Sequence, residues 1–273
     1  MKCWLAAATV GLIVGCSEVD PEKAPSPPRV PPGSWHVSVF GDGTPPVVFE
    51  GDIGAPGRDW LPTARHVAEE TRVIVYDRLG LGESGPPQQG DLRDAAAAAD
   101  ELRDMLDATG VEGPYVFVAQ GYGSVIVRDL HAETPHWLAA AVFVNPWHAE
   151  QFEVMADFRA YLEKHEVKSE GAEEELRAAA GSLRAVRESG RYFGHRPLVV
   201  VTGTDAPAAW SGGSERLPET RVQWRAFQEE IAGLSSHSVH TYVEGGYELP
   251  SEQPDLLAKA VLHAVEAVRA DDD

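Results

Sequence analysis

Tyr115-Val116-Phe117-Val118-Ala119-Gln120-Gly121-Tyr122-Gly123-Ser124 is the stretch that decides the fold. Its first half, Tyr115–Val118, is an unbroken run of aromatic and β-branched residues, the composition of a strand buried on both faces. Two glycines follow, and Gly123–Glu133 then reads as a helix. A strand, a tight turn and a helix in immediate succession form the building unit of an α/β domain. The apex of that turn is Gly121, a residue without a side chain.

Outward from this unit the alternation repeats. Trp35–Phe40, Val47–Glu50 and Arg72–Tyr76 are predicted strands before it, and Trp60–Glu70 and Leu92–Thr109 are predicted helices. In the latter, Leu92, Ala95, Ala99, Leu102, Met105 and Leu106 recur at helical spacing and Gly110 stops the run. Leu138–Val144, Leu198–Thr202 and His240–Val243 are predicted strands after it, and Arg221–Leu234 and Pro254–Val268 are predicted helices. This order predicts an α/β fold with a mostly parallel central sheet and helices on both faces. Gln151–Ser189 interrupts the alternation with charged, alanine- and leucine-striped helix and no strand signal. A helical cap at about 149–192 is expected over the carboxyl ends of the strands, where such sheets bind ligands.

The chain has 273 residues and a formal net charge of −20, with 23 Lys and Arg against 43 Asp and Glu. No basic stripe interrupts this acidity, so a nucleic-acid partner is not expected. Met1–Gly15 has Lys2 followed by the apolar run Trp4–Val14. That run is shorter than the roughly 20 residues of a spanning helix and suits the core of a signal peptide. Ile13-Val14-Gly15-Cys16 resembles the lipobox of bacterial lipoproteins. The resemblance implies lipid on Cys16, and hence an exported protein anchored on the outer side of the cytoplasmic membrane or in the outer membrane. Residues 16–33 carry Pro21, Pro25, Pro27, Pro28, Pro31 and Pro32 and read as an extended tether with a reach of up to roughly 50 Å. The folded domain is expected over 34–273. The other cysteine, Cys3, lies in the signal segment, so no disulfide, thiolate metal site or cysteine nucleophile is expected in the domain. No H-x-x-E-H or H-E-x-x-H spacing occurs, and neither a metal nor a cofactor is expected.

Several landmarks in order resemble the α/β-hydrolase superfamily. Val47-Val48-Phe49-Glu50-Gly51-Asp52 resembles its strand and oxyanion loop, and Tyr76-Asp77-Arg78-Leu79-Gly80-Leu81-Gly82-Glu83-Ser84 its Y-D-R-x-G-x-G-x-S turn. Gln120-Gly121-Tyr122-Gly123 sits where the family has its nucleophile elbow, and Gly246-Tyr247 where it has a Gly-His pair. The family's reaction needs a hydroxyl or other nucleophile, a base within reach of it and a carboxylate that orients the base. By that resemblance the nucleophile position is Gly121 and the base position Tyr247, a phenol that ordinarily ionises near pH ~10. The acid position is Asp205 if it follows Leu198–Thr202, or Asn145 if it follows Leu138–Val144.

These positions imply a degenerate member of the superfamily. The expected function is that of a membrane-tethered pseudo-hydrolase that binds a small apolar ligand or a protein partner. The alternatives are an esterase- or lipase-type hydrolase with a non-standard arrangement, and a structural spacer. Backbone N–H groups of Tyr122 and of Asp52 or Ile53 would form the oxyanion hole, where a carboxylate on Asp52 would oppose a developing anion. Ligand contacts are expected from Asp52, Ile53, Gln120, Tyr122, Trp147, His148 and Tyr247. Ser124, in the first turn of the helix, and Ser84, in the Asp77–Ser84 turn, read as local hydrogen-bonding residues.

Overall fold

The computed structural model describes residues 33–87, 93–189, 192–209 and 217–272. The expected signal segment, the lipobox with Cys16 and all of the tether except Gly33 lie outside these residues, as does Leu92.

Seven strands form one sheet: β1 (Val37–Phe40), β2 (Val47–Glu50), β3 (Val73–Tyr76), β4 (Tyr115–Gln120), β5 (Leu138–Val144), β6 (Leu198–Gly203) and β7 (Ser238–Val243). Their order is β1-β3-β2-β4-β5-β6-β7. β1 runs antiparallel to β3 and every other pairing is parallel. The chain leaves β2 toward one side of the sheet and reaches β4 on the other. The loops after β2 and β4 therefore diverge, and the crevice between them is the switch point where open parallel sheets bind ligands.

The period of two along each strand sorts the core into two layers. Val47 and Phe49 of β2, Val73 and Val75 of β3 and Val116 and Val118 of β4 share one apolar cluster. In it they meet α1 (Leu61–Val67) and α9 (Pro254–Asp272). Val48, Ile74 and Phe117 point the other way, onto α2 (Ala95–Thr109), α3 (Gly123–Glu133) and α7 (Leu217–Ala232). Both faces are covered, which is why the inner strands read as continuous apolar runs rather than alternating ones.

Element boundaries differ locally from the sequence expectations. The helix expected over Trp60–Glu70 is a 3-10 turn, Gly57–Trp60, followed by the short α1. α2 starts at Ala95 because the Asp94 side chain caps it, accepting from Ala97 N, and it ends where Gly110 turns left-handed at φ 68°. β4 runs two residues past Val118, to Gln120, α7 begins at Leu217 rather than Arg221, and β7 begins at Ser238 rather than His240.

The cap consists of α4 (Gln151–Val154), α5 (Ala156–His165) and α6 (Glu170–Ser189), followed by a short α8 (Leu249–Glu252) much later in the chain. It is not a detached lid. Phe158 and Leu162 of α5 and Leu176, Ala179 and Leu183 of α6 are buried in the same cluster as Tyr122 and Trp147.

Candidate functional site

β4 delivers Gln120 and then Gly121, whose φ of 50° lies in the left-handed region that a glycine adopts without steric penalty. α3 starts two residues later and packs tightly on the loop after β2. A Cβ on Gly123 would lie 2.6 Å from the Gly51 carbonyl oxygen.

The loop after β2 brings Asp52 to the apex of the turn. Its side chain is 4% exposed. Oδ1 accepts from Tyr122 N at 2.7 Å and from Ile53 N at 2.8 Å, and Oδ2 accepts from the Tyr247 hydroxyl. A Cβ at position 121 would stand 2.3 Å from the Asp52 Cγ and 2.3 and 2.4 Å from its two oxygens. The carboxylate thus fills the space in which a side chain on residue 121 would begin. The two backbone donors expected to form an oxyanion hole are present, and both are spent on Asp52.

Burial pushes the Asp52 carboxyl up to about 7, against the lowering effect of the Tyr247, Tyr122 and Ile53 bonds. Tyr247 is 3% exposed and donates to Asp52 while accepting from Trp147 Nε1 at 2.6 Å. Burial and the neighbouring Asp52 charge hold its phenol well above its ordinary range, so it stays protonated and donates a hydrogen bond to Asp52.

The two candidates for the acid position do different things. Asn145, at the end of β5 with φ 46°, accepts from Gly203 N at 2.8 Å and donates to the carbonyls of Tyr247 at 2.9 Å and Gly246 at 3.3 Å. It ties the loops after β5, β6 and β7 together. Asp205 turns outward, its carboxylate 53% exposed and 2.9 Å from Arg221. Neither places a carboxylate on residue 247. Ser124 Oγ donates to the Gly121 carbonyl at 2.6 Å, and Ser84 Oγ to the Asp77 carbonyl at 2.6 Å.

The seven residues expected to touch a ligand are not brought to one pocket. Asp52 and Gln120 line a cavity of about 750 Å³ on the β2-loop side. His148 lines a separate cavity of about 380 Å³ with Arg128 and Glu230, its ring stacked 4.0 Å from Phe227 and its Nε2 3.0 Å from Glu230. Ile53, Tyr122, Trp147 and Tyr247 line neither of these two cavities. They are 0–3% exposed, and the aromatic rings fill one another's space. Tyr122 packs on Trp147 at 5.4 Å, and Phe158 of the cap closes on Trp147 at 5.2 Å and on Tyr247 at 6.0 Å. Tyr122, Trp147 and Tyr247, expected to touch a ligand, pack instead in the core beneath Phe158 of α5.

A second cluster braces the same loop and was missed in the sequence. Arg78, 3% exposed, reaches Glu175 of α6 through Nε at 2.6 Å and Nη2 at 2.9 Å, and Glu50 through Nη1. Nη1 also donates to the Gly51 carbonyl at 2.8 Å and Nη2 to the Asp52 carbonyl at 2.6 Å. All five guanidinium donors are engaged. Tyr76 donates to the other oxygen of Glu50, and Gly54 N to Glu175 at 3.1 Å. The signal for this cluster was a charge at the end of a buried strand, Glu50, followed by Arg78 in the Tyr76-Asp77-Arg78 turn. Nothing marks Glu175 apart from its neighbours Glu173 and Glu174 in the sequence of α6.

The profile of the alpha/beta hydrolase fold matches residues 45–195, more than half of the chain and the part that holds both β-loops and the cap. The chain belongs to the alpha/beta hydrolase fold family. Among relatives, it is 25% identical to the YqjL protein of Bacillus subtilis over 194 residues, 70% of this chain and 72% of that one. It is 35% identical to the RutD protein of Enterobacter cloacae over 106 residues, which spans 39% of each. Among solved structures, a thermophilic esterase from Thermogutta terrifontis superposes with a TM-score of 0.64 at 18% identity, covering 86% of this chain and 93% of the esterase. An enol-lactonase from Burkholderia xenovorans does so with a TM-score of 0.64 at 15% identity, covering 85% and 96%. At such identities these two likenesses carry the fold. As an alpha/beta hydrolase fold protein, the chain presents a buried carboxylate held by three neutral donors at the turn after β4, and no hydroxyl or thiol at the apex of that turn.

Proposed function

We propose that this alpha/beta hydrolase fold protein is a binding protein without hydrolase activity, held at a bacterial membrane by lipid on Cys16. One observation carries the reading: the Asp52 carboxylate sits where the nucleophile's side chain would start and takes both N–H donors that would hold a developing oxyanion. A substrate carbonyl must displace a carboxyl group bound by three hydrogen bonds. It would then meet no nucleophile. Gly121 and Tyr247 are consistent with this plug, since a side chain at 121 collides with Asp52 and the Tyr247 hydroxyl donates to it. The tether and lipid rest on the lipobox-like Ile13-Val14-Gly15-Cys16.

The test is a panel of chromogenic esters on a graded set of variants. Wild type is expected at background. Gly121→Ser/Tyr247→His is also expected at background, because the new Ser Cβ meets the Asp52 carboxyl. Adding Asp52→Gly to that pair frees the space and both N–H donors, and is the one variant expected to gain turnover. Ester turnover that stays with the wild-type chain through purification overturns the proposal.

A second reading, a hydrolase with a non-standard arrangement, draws on one feature: the Asp52 carboxyl at about 7 lies where a general base works best. Against it, both Asp52 oxygens are already bonded. That reading requires wild-type turnover that Asp52→Asn abolishes.

A further inference from the structure

A groove of about 370 Å³ lies between the turn after β3 and the start of α6. Gly80, Pro86 and Pro87 line it from the turn, and Glu170, Gly171 and Glu174 from the helix. The two walls meet at Gly80 and Gly171, where a Cβ on Gly171 would lie 2.6 Å from the Gly80 carbonyl oxygen. Ser84 also lines the groove, but its hydroxyl is engaged: it donates to the Asp77 carbonyl at 2.6 Å and accepts from His36 N at 2.8 Å. An occupant therefore meets proline rings and glycine backbone, with two carboxylates along one wall. Glu170 is exposed and Glu174 half-buried, and among the described residues neither forms an ion pair. The groove shares no lining residue with the two cavities described above.

The way the chain enters the domain sets what stands beside this groove. Gly33 N donates to the Pro86 carbonyl at 2.8 Å, and Gly85 N to the Ser34 carbonyl at 2.8 Å. The chain before Gly33 thus starts next to Pro86 and Pro87. Its sequence there is Pro25-Ser26-Pro27-Pro28-Arg29-Val30-Pro31-Pro32. Pro25, Pro28 and Pro31 recur every third residue, the period of polyproline II, which would put them on one ridge. Arg29 precedes Gly33 by four residues, about 12 Å of extended chain, so its charge is within reach of the groove. The other segment that adjoins the groove in sequence, 88–92, carries Asp91 and no cation, and its charge repels the two glutamates.

We propose that residues 25–32 of this same chain dock in the groove as polyproline II, with prolines against Pro86 and Pro87 and the Arg29 guanidinium between Glu170 and Glu174. Surface ion pairs are individually weak and would not capture a free peptide of this kind. This segment is attached at the edge of the groove, which supplies it at about millimolar effective concentration. Its prolines are already restricted to the extended form, so ordering them costs little entropy. The consequence at a membrane rests on the reading of Cys16 as lipid-bearing. Docking cuts the free reach of the tether from roughly 50 Å to roughly 30 Å and turns the start of α6 toward the anchor.

Trypsin digestion of the full chain tests this, because the protease cuts after Arg29, inside the docked stretch, and after Lys23, outside it. The products are told apart by mass. Cutting after Arg29 is expected to be on the order of tenfold slower in wild type than in Glu170→Gln/Glu174→Gln, since proteolysis follows the undocked population. Cutting after Lys23 is expected at equal rates in both. Glu173→Gln, on the same helix but outside the groove, is expected to match wild type. In 1 M salt, where charges are screened beyond about 3 Å, wild type should lose its protection at Arg29 relative to Lys23, and the double variant should not change.

Equal cutting after Arg29 in wild type and the double variant overturns the proposal. So does equal acceleration by Glu173→Gln, which would make the effect one of the charge on α6 and not of the groove. Protection that grows with protein concentration puts the segment of a second copy in the groove and overturns docking within one chain. The lipid is read separately: Cys16→Ser that still pellets with membranes defeats the lipid reading and leaves the docking standing. Failure of the protection, with Cys16→Ser released from membranes, defeats only this inference.

Discussion

Glu50 and Asp52 stand two residues apart at the end of one strand. Both are buried carboxylates, 0% and 4% exposed, and they are held in opposite ways. Glu50 is bonded to a guanidinium, which also holds Glu175 and two carbonyls of the loop, and to the Tyr76 hydroxyl. Asp52 is bonded to two backbone N–H groups and a phenol, all neutral. The contrast separates two jobs. An ion-paired carboxylate fixes geometry, because Arg78 locks the backbone of the loop to the cap. A carboxylate held by neutral donors stays able to exchange its proton near neutral pH, and this is the one that occupies the centre of the site.

The sharpest way to break the first half of that contrast is Arg78→Met. The substitution leaves Glu50 and Glu175 buried with no cation between them, and removes the donors to the Gly51 and Asp52 carbonyls. Removing one partner from a buried ion pair costs about 3–5 kcal/mol, and urea unfolding should show a loss of that order. The triple change Glu50→Gln/Arg78→Met/Glu175→Gln should recover part of it, since no buried charge is then left over. A loss under about 1 kcal/mol for Arg78→Met, the range of surface pairs, would show that the cluster is not a brace.

The second half concerns Asp52 and pH. Its carboxyl is raised from 3.8 to about 7 in the folded chain, so the folded state binds this proton more tightly than the unfolded one. The stability tied to this group is therefore full below pH ~4, falls as pH rises, and levels off above pH ~7. A difference of about three pKa units bounds the effect at about 4 kcal/mol. Asp52→Asn removes the proton exchange. Its unfolding free energy should gain on wild type between pH 4 and pH 8 by up to that amount. Parallel pH curves for the two chains would mean that Asp52 does not titrate as its surroundings require.

Tyr247→Phe sharpens the same half. It deletes the hydroxyl that donates to Asp52 and accepts from Trp147, leaving a buried indole N–H without its acceptor, at a cost of about 1–3 kcal/mol. The Tyr247 bond favours the ionised form of Asp52, so its loss should also move the pH interval upward, which loss of packing alone would not do.

The parts legible in the sequence and the parts that were not divide on physical grounds. Strand periodicity, the Gly110 stop and the order of motifs each depend on neighbouring residues, and the sheet and the turn at Gly121 follow from them. The sequence also pointed to a carboxylate near the expected oxyanion donors. It could not show that the carboxylate occupies them, because the bond from Tyr122 N to Asp52 spans 70 residues and depends on one side-chain rotamer. The packing of Tyr122, Trp147 and Tyr247, residues expected to touch a ligand, was hidden for a related reason: aromatic residues lining a cavity and aromatic residues filling a core have the same composition. Only the position of Phe158 on α5 decides between them.

Asp205 supplies the smallest and most pointed prediction. Were it the carboxylate that orients residue 247, its loss would disturb the loop after β7 and, through Tyr247, the charge on Asp52. It is instead 53% exposed and paired with Arg221, and Asn145 performs the tie to the Tyr247 carbonyl. Asp205→Ala should therefore change the unfolding free energy by no more than about 0.5 kcal/mol and leave the pH interval of Asp52 where it was. Asn145→Ala should do the opposite, since it strips two carbonyls and one N–H of buried partners, and a shift of the Asp52 interval in the Asp205 variant would reverse the assignment of the two residues.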